Sequence, residues 1–198
     1  MKILMVLTPP HHAGDVSKTT SFWFNEFATS YYIFKDESAD ITVVWSADCS
    51  PTLGSISDAP ELQSDAIRRF KLDVSAQLVL AQAGRFSSVT MSNFDAVSYL
   101  SAYAQMRNQA DEAVSPKLIK LKVNAGKTAN ADCHSTGLVR LAWVANVPPL
   151  LRRKRGFGFT SSVQASVNFS DIEPFLVDNM PVKNGGVYSK GAGWKPYA

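Results

Sequence analysis

A thiol and an imidazole stand side by side at Cys133-His134, inside the stretch Ala129-Asn130-Ala131-Asp132-Cys133-His134-Ser135-Thr136-Gly137-Leu138. A short strand-like run precedes the pair. An apolar run with helical spacing follows it (Leu138, Val139, Leu141, Ala142, Val144). In an α/β sheet this junction sets a side chain at the carboxyl edge of a strand and the amino end of a helix. The positive end of the helix dipole lowers a thiol pKa, so thiolate becomes available near neutral pH. A thiolate beside an imidazole suits nucleophilic attack on a carbonyl carbon, with the ring moving the proton. On this segment alone the rival reading is a buried, inert cysteine, the commoner fate of that residue type.

The second group is Glu26. Helical spacing over residues 21–37 puts Trp23, Phe27, Ser30 and Phe34 on one face, and Ser21 or a neighbouring Thr can cap the helix. Glu26 precedes Phe27 directly and so borders that face. A carboxylate is costly to bury there unless it is protonated or paired. Two readings stay open: a flank residue that reaches solvent, or a protonated carboxyl that donates a hydrogen bond to a thiolate. Other reactive residues take simpler readings. His11 and His12 follow two prolines in a loop with no cysteine or carboxylate at ligand spacing, so no metal site is predicted. Arg152-Arg153-Lys154-Arg155 reads as a solvated turn and Cys49 as a small loop residue.

The elements that must position these groups alternate between strand and helix. Residues 2–8, 40–45, 94–100 and 127–132 read as short buried strands, the last ending at Cys133. Helices are predicted at 21–37, 64–70, 75–83, 116–124, 138–147 and 172–179, loops at 9–20 and 46–62, and a weak strand at 156–160. Regular βα alternation argues for a doubly wound parallel sheet.

Whole-chain properties bound the function. The 198 residues suffice for one domain with a sizeable core. Hydrophobic content of 45% and charged content of 19% are ordinary for a globular chain. A net charge of +3 is too small to argue for a nucleic-acid partner. Two cysteines cannot build a disulfide framework and point to a reducing, cytoplasmic setting. No apolar run approaches the roughly 20 residues of a membrane helix, so no membrane partner is expected.

The order of several short motifs carries a resemblance. They are residues 21–36 (Ser-Phe-Trp-Phe-Asn-Glu-Phe-Ala-Thr-Ser-Tyr-Tyr-Ile-Phe-Lys-Asp), Arg68-Arg69-Phe70, Asn93-Phe94-Asp95-Ala96-Val97, Cys133-His134, Gly158-Phe159-Thr160, Pro174-Phe175-Leu176 and Tyr188-Ser189-Lys190-Gly191. In this order, over nearly the whole chain, they resemble the ThiJ/PfpI superfamily of class I glutamine amidotransferase-like proteins, in its chaperone and glyoxalase III-like branch. The resemblance implies a flavodoxin-like α/β fold, a three-layer sandwich with a mostly parallel central sheet, in a single domain spanning 1–198 and usually dimeric. It implies Cys133 as nucleophile on a strand-to-helix elbow, His134 as general acid/base, and Glu26 from the first helix as the donor that stabilises the thiolate. It also implies cofactor-free conversion of a small 2-oxoaldehyde such as methylglyoxal to lactate, or deglycation. The non-catalytic alternative is a redox-sensing or chaperone-like dimer on the same fold.

Departures from the pattern bear on that choice. Leu100-Ser101-Ala102-Tyr103-Ala104 stands where the family has Pro-Gly-Gly-His-Gly, so Ser101 and Ala102 replace the glycines whose backbone N–H groups face a developing oxyanion. Ser135-Thr136 replaces Gly-Pro, which adds a β-carbon at the elbow at Ser135. Gln164 stands in the segment that often carries an imidazole-orienting carboxylate. Asn130 and Asp132 are polar in a strand expected to be buried. The family's last strand and helix have no counterpart before Ala198.

Overall fold

Residues 1–7, 11–12, 19–20, 22–45, 55–100, 119, 122–131, 155–156 and 187–189 are described by the computed structural model of the chain. Their elements run in order as β1 (Lys2–Leu7), β2 (His11–His12), β3 (Thr19–Thr20), α1 (Phe24–Asp36) and β4 (Asp40–Trp45). After them come α2 (Asp65–Leu72), α3 (Val74–Ala81), β5 (Gly84–Arg85), β6 (Ala96–Leu100), β7 (Thr128–Ala131), β8 (Arg155–Gly156) and β9 (Val187–Tyr188).

Five of the strands form one parallel sheet in the order β5-β4-β1-β6-β7. Central β1 is a continuous apolar run, buried from Ile3 to Leu7, as expected of a strand covered on both faces. Its side chains divide by alternation. Ile3, Met5 and Leu7 join Val43, Trp45 and Leu100 beneath α1, α2 and α3. Leu4 and Val6 join Val44, Val97 and Tyr99 on the other face, against Phe86, Phe94 and the helical residue Ile119. The result is the flavodoxin-like α/β fold with three layers.

Local chemistry explains the helix ends. Ser64 caps α2 by accepting from the Ile67 N–H at 3.2 Å. Asp73 closes α2 and caps α3, its Oδ1 accepting from the Ala76 N–H at 3.1 Å. At the carboxyl end of α1 the Ala39 N–H reaches Phe34 O and the Ser38 N–H reaches Lys35 O, both at 3.0 Å. This is a Schellman turn, and it holds Ser38 at φ 57°, a place that usually goes to glycine. Gly126 takes the same place at φ 68°, with the Lys127 N–H on Lys122 O and its own N–H on Val123 O.

Several expectations are corrected. Residues 9–20 are not all loop, because β2 and β3 pair antiparallel. The buried face of α1 is Phe24, Phe27, Ala28, Tyr31 and Tyr32, while Trp23 is the N-cap and is exposed. No side chain of Ser21 or a neighbouring Thr is needed to define that cap, since Trp23 holds it in extended conformation without a side-chain bond. Asn130 is exposed, and its Nδ2 donates to Ser98 Oγ at 3.1 Å. The two-residue β5 was not expected at all. The weak strand begins earlier than predicted, at Arg155, and pairs parallel with β9. Residues 122–124 are helical as predicted. The helices expected at 138–147 and 172–179 lie outside the described residues.

Candidate active site

The chain passes from β1 outward through β4 to β5, then returns to the far side of β1 to form β6 and β7. That reversal makes the carboxyl ends of β1 and β6 a topological switch point, where open α/β sheets bind ligands. Register keeps these ends level: Leu7 lies opposite both Trp45 and Leu100, and Tyr99 lies opposite Ala131.

Helix α1 is the element that follows the carboxyl end of β1 and its hairpin. Its start is fixed by aromatic packing. Phe22 meets Phe27 edge-on at 5.6 Å and Trp45 at 5.7 Å, and Phe70 meets Phe24 at 5.4 Å and Phe27 at 5.5 Å. Rings at such distances and tilts favour one arrangement over others beyond the burial of area alone. Glu26 sits in the first turn of α1, where the positive end of the helix dipole favours an acid. Its side chain is half-buried, and Oε2 is out of contact with solvent. A fully solvated flank residue would not have an oxygen so placed.

Trp45 is a residue that the sequence reading passed over. It ends β4 at the same edge, is 3% exposed, and has a buried indole Nε1 that finds no hydrogen-bond acceptor among the described residues. A tryptophan closing an apolar strand reads as core, and nothing in its sequence neighbours separates a satisfied indole from an unsatisfied one.

The other predicted site residues follow this edge in sequence. Ser101 and Ala102 come directly after Leu100 of β6, and Cys133, His134 and Ser135 begin two residues after Ala131 of β7. All five lie outside the described residues, as do Cys49 and Gln164. Among the described residues no group of three or more His, Cys, Asp or Glu is arranged to hold a metal ion. Among the same residues no helix is long and apolar enough to cross a membrane.

The amino edge of the sheet is built differently. Lys122 is buried, and its ammonium donates to Met91 O at 2.7 Å and to Phe94 O. Lys127 Nζ donates to the same Phe94 carbonyl at 2.8 Å. Burial, and then the neighbouring Lys127 charge, pushes the Lys122 pKa down, with Asp95 opposing. Asp95 accepts from the Lys2 N–H at 2.8 Å, and this bond holds its carboxyl below the ordinary range.

The far end of α1 carries a polar network. Asp73 Oδ2 accepts from Lys35 Nζ at 2.9 Å and from Tyr32 Oη at 3.2 Å. Bonds from Ser75, Lys35 and the Ala76 N–H hold the Asp73 carboxyl well below its usual range. Burial, then the bond to Asp73, pushes the Tyr32 hydroxyl up to about 12. Arg69 forks onto both oxygens of Asp36 at 2.7 Å and lies over the Tyr32 ring at 3.9 Å.

No protein-family profile matches the chain, and no curated protein matches it significantly. Solved structures do. Rapid Encystment Protein 24 kDa of Francisella tularensis is similar at 21% identity and a TM-score of 0.85, over 99% of this chain and 86% of that one. Glyoxalase III from Candida albicans is similar at 18% identity and a TM-score of 0.81, over 97% of this chain and 83% of that one. A ThiJ/PfpI domain protein from Brachyspira murdochii is similar at 14% identity and a TM-score of 0.50, over 88% of this chain and 78% of that one. At these identities the likeness is one of fold.

Proposed function

We propose that this chain, which has the ThiJ/PfpI fold, is a cysteine-dependent, cofactor-free enzyme acting on small 2-oxoaldehydes such as methylglyoxal. One observation carries the reading: the carboxyl ends of β1, β6 and β7 are adjacent, and the segments after them carry Glu26, Ser101 with Ala102, and Cys133 with His134. The fold shared with a glyoxalase III over 97% of the chain supports the same substrate class.

The chemistry balances within one substrate. The Cys133 thiolate adds to the aldehyde carbon, and the resulting oxyanion takes a proton to give a hemithioacetal. His134 removes the proton on that carbon, an enediol forms, and a proton returns to the neighbouring carbon to give a lactate thioester. Water then cleaves the thioester, releasing lactate and the thiol. The aldehyde carbon is oxidised by two electrons and the ketone carbon reduced by two, so the couple is internal to the substrate. Glu26 as a carboxyl donor favours thiolate over thiol. The protein acts as a homodimer in the cytoplasm in this reading.

Lactate formation from methylglyoxal by the purified protein tests the proposal. The parent forms lactate and Cys133→Ala does not. Equal, background-level rates for the two proteins would sink it. The second reading, a non-catalytic chaperone-like protein, is favoured by exposed apolar side chains at Leu72 (85%), Val74 (68%) and Leu78 (52%). Replacing Ser101 and Ala102 by glycine separates the two, since one regained backbone oxyanion donor raises turnover roughly 100- to 1,000-fold in an enzyme and does nothing in a holdase.

A further inference from the structure

We infer that the indole N–H of Trp45 is held for an oxygen of the bound ligand, so that the substrate site extends from the switch point onto the end of β4. The inference rests on the carbonyl-compound reading and names a residue that reading does not use.

Three observations converge. First, Trp45 Nε1 is a buried donor with no acceptor among the described residues. Buried tryptophan N–H groups ordinarily find a partner, and an unmet one calls for a reason. A phenylalanine would fill an apolar strand end without leaving a donor unmet. Second, Trp45 lies at the ligand-binding edge, directly opposite Leu7 in register, one strand over from the reversal of chain order. Unmet polar groups are tolerated where ligands supply the missing partner, and this edge is where such a fold takes ligands. Third, Trp45 shares its wall with the start of α1. Phe22 contacts both Trp45 and Phe27, which ties the end of β4 to the first turn of α1. The indole is thus anchored on the aromatic cluster that fixes the start of α1.

The chemistry of the indole limits what it can hold. It donates and cannot accept, it carries no charge, and its rigid ring gives the donor one direction. Its match is a carbonyl, hydroxyl or carboxylate oxygen on a small ligand. A 2-oxoaldehyde offers such an oxygen on the carbon beside the reacting one, and the 2-hydroxy acid product offers three oxygens. Trp45 is therefore a specificity residue that distinguishes a 2-oxoaldehyde from a simple aldehyde of similar size.

The test reads the indole directly and uses lactate, the inert product, as probe. Protein labelled with nitrogen-15 gives one indole signal for each of its four tryptophans. The Trp45 signal is assigned by its loss in Trp45→Phe. Added lactate should move that signal saturably in the parent protein. Trp45→Phe should weaken lactate binding about tenfold, the worth of one net hydrogen bond. A lactate-dependent shift of other signals while the Trp45 indole stays still overturns the inference and leaves the carbonyl-binding reading standing. No shift of any signal at saturating lactate overturns the inference too. A Trp45 response in a protein that never forms lactate upholds the inference and overturns the catalytic reading.

Discussion

The two ends of helix α1 are made for different tasks. At the carboxyl end every polar contact holds structure: a Schellman turn, the forked Arg69–Asp36 pair, and Asp73 gathering Tyr32, Lys35, Ser75 and the first turn of α3. At the amino end Trp23 caps without a side-chain bond, Glu26 has an oxygen out of solvent, and the Trp45 indole has no acceptor among the described residues. The first arrangement recovers the desolvation cost of its polar groups internally, whereas the second leaves part of it outstanding. Broken local rules of this kind are expected at functional sites, which is what the proposed site at the amino end predicts.

The hardest blow to this contrast falls between the ends. Phe27 is fully buried and touches Phe22, Tyr31 and Phe70, so Phe27→Ala should cost about 3–5 kcal/mol of stability, read by denaturant unfolding. It should loosen both ends together, whereas the next changes should separate them.

Glu26→Gln should lower lactate formation, because the carboxyl donor that favours the thiolate is lost, and leave the melting temperature nearly unchanged. Competitive alkylation of Cys133 over a pH series should show a raised thiol pKa in the same variant. An unaltered thiol pKa would remove Glu26 from the working end.

Asp73→Asn should do the reverse, costing about 1 kcal/mol through the lost charge that pairs with Lys35 and accepts from Tyr32, and leaving activity alone. The sign of its pH dependence follows from the bonds. The folded carboxyl titrates below its ordinary value of 3.8, so its contribution is complete above that pH and is lost as pH falls further. The variant should therefore show a shallower acid limb in melts below about pH 4. Tyr32 adds an alkaline limb. Its pKa rises from 10.0 to about 12, so stability is full below pH 10.0 and is lost between there and about 12. Tyr32→Phe should remove that alkaline loss.

The smallest effect sharpens the comparison most. Ser38 occupies a left-handed position that Gly126 fills without strain in the matching turn. Ser38→Gly should therefore raise stability by about 0.5–1 kcal/mol, and Gly126→Ser should lower it similarly. Chemical denaturation with an unchanged m-value checks both.

Much of the scaffold was legible because its signals are local. Strands β1, β4 and β6 are short, largely apolar runs, and β7 (Thr-Ala-Asn-Ala) follows the βα alternation they set, so their existence needed no tertiary knowledge. The face of α1 was misread because two stripes share Phe27: Trp23/Phe27/Ser30/Phe34 and Phe24/Phe27/Ala28/Tyr31 both satisfy helical spacing. Only the docking of Phe70 and Trp45 selects the second. Strand β5 was invisible because Gly84-Arg85 pairs through its backbone, with exposed side chains and no apolar signature. Of the candidate residues, Glu26 drew attention in the sequence because a carboxylate bordering an aromatic stripe is conspicuous, and the structure gives it an oxygen out of solvent. Trp45 did not, because an indole donor declares itself only when its surroundings are known.

The two lysines at the amino edge carry a consequence for how the molecule opens. Lys122 keeps its amine inside, on the carbonyls of Met91 and Phe94, and is 4% exposed. An acylating or reductively methylating reagent can reach that amine only when the edge parts from β6, whereas solvated lysines react at once. Modification of Lys122, followed by mass spectrometry against time, is therefore a clock for sub-global opening at one chosen place. Its rate relative to global unfolding would tell whether the anchoring edge comes apart before the rest of the sheet or only with it.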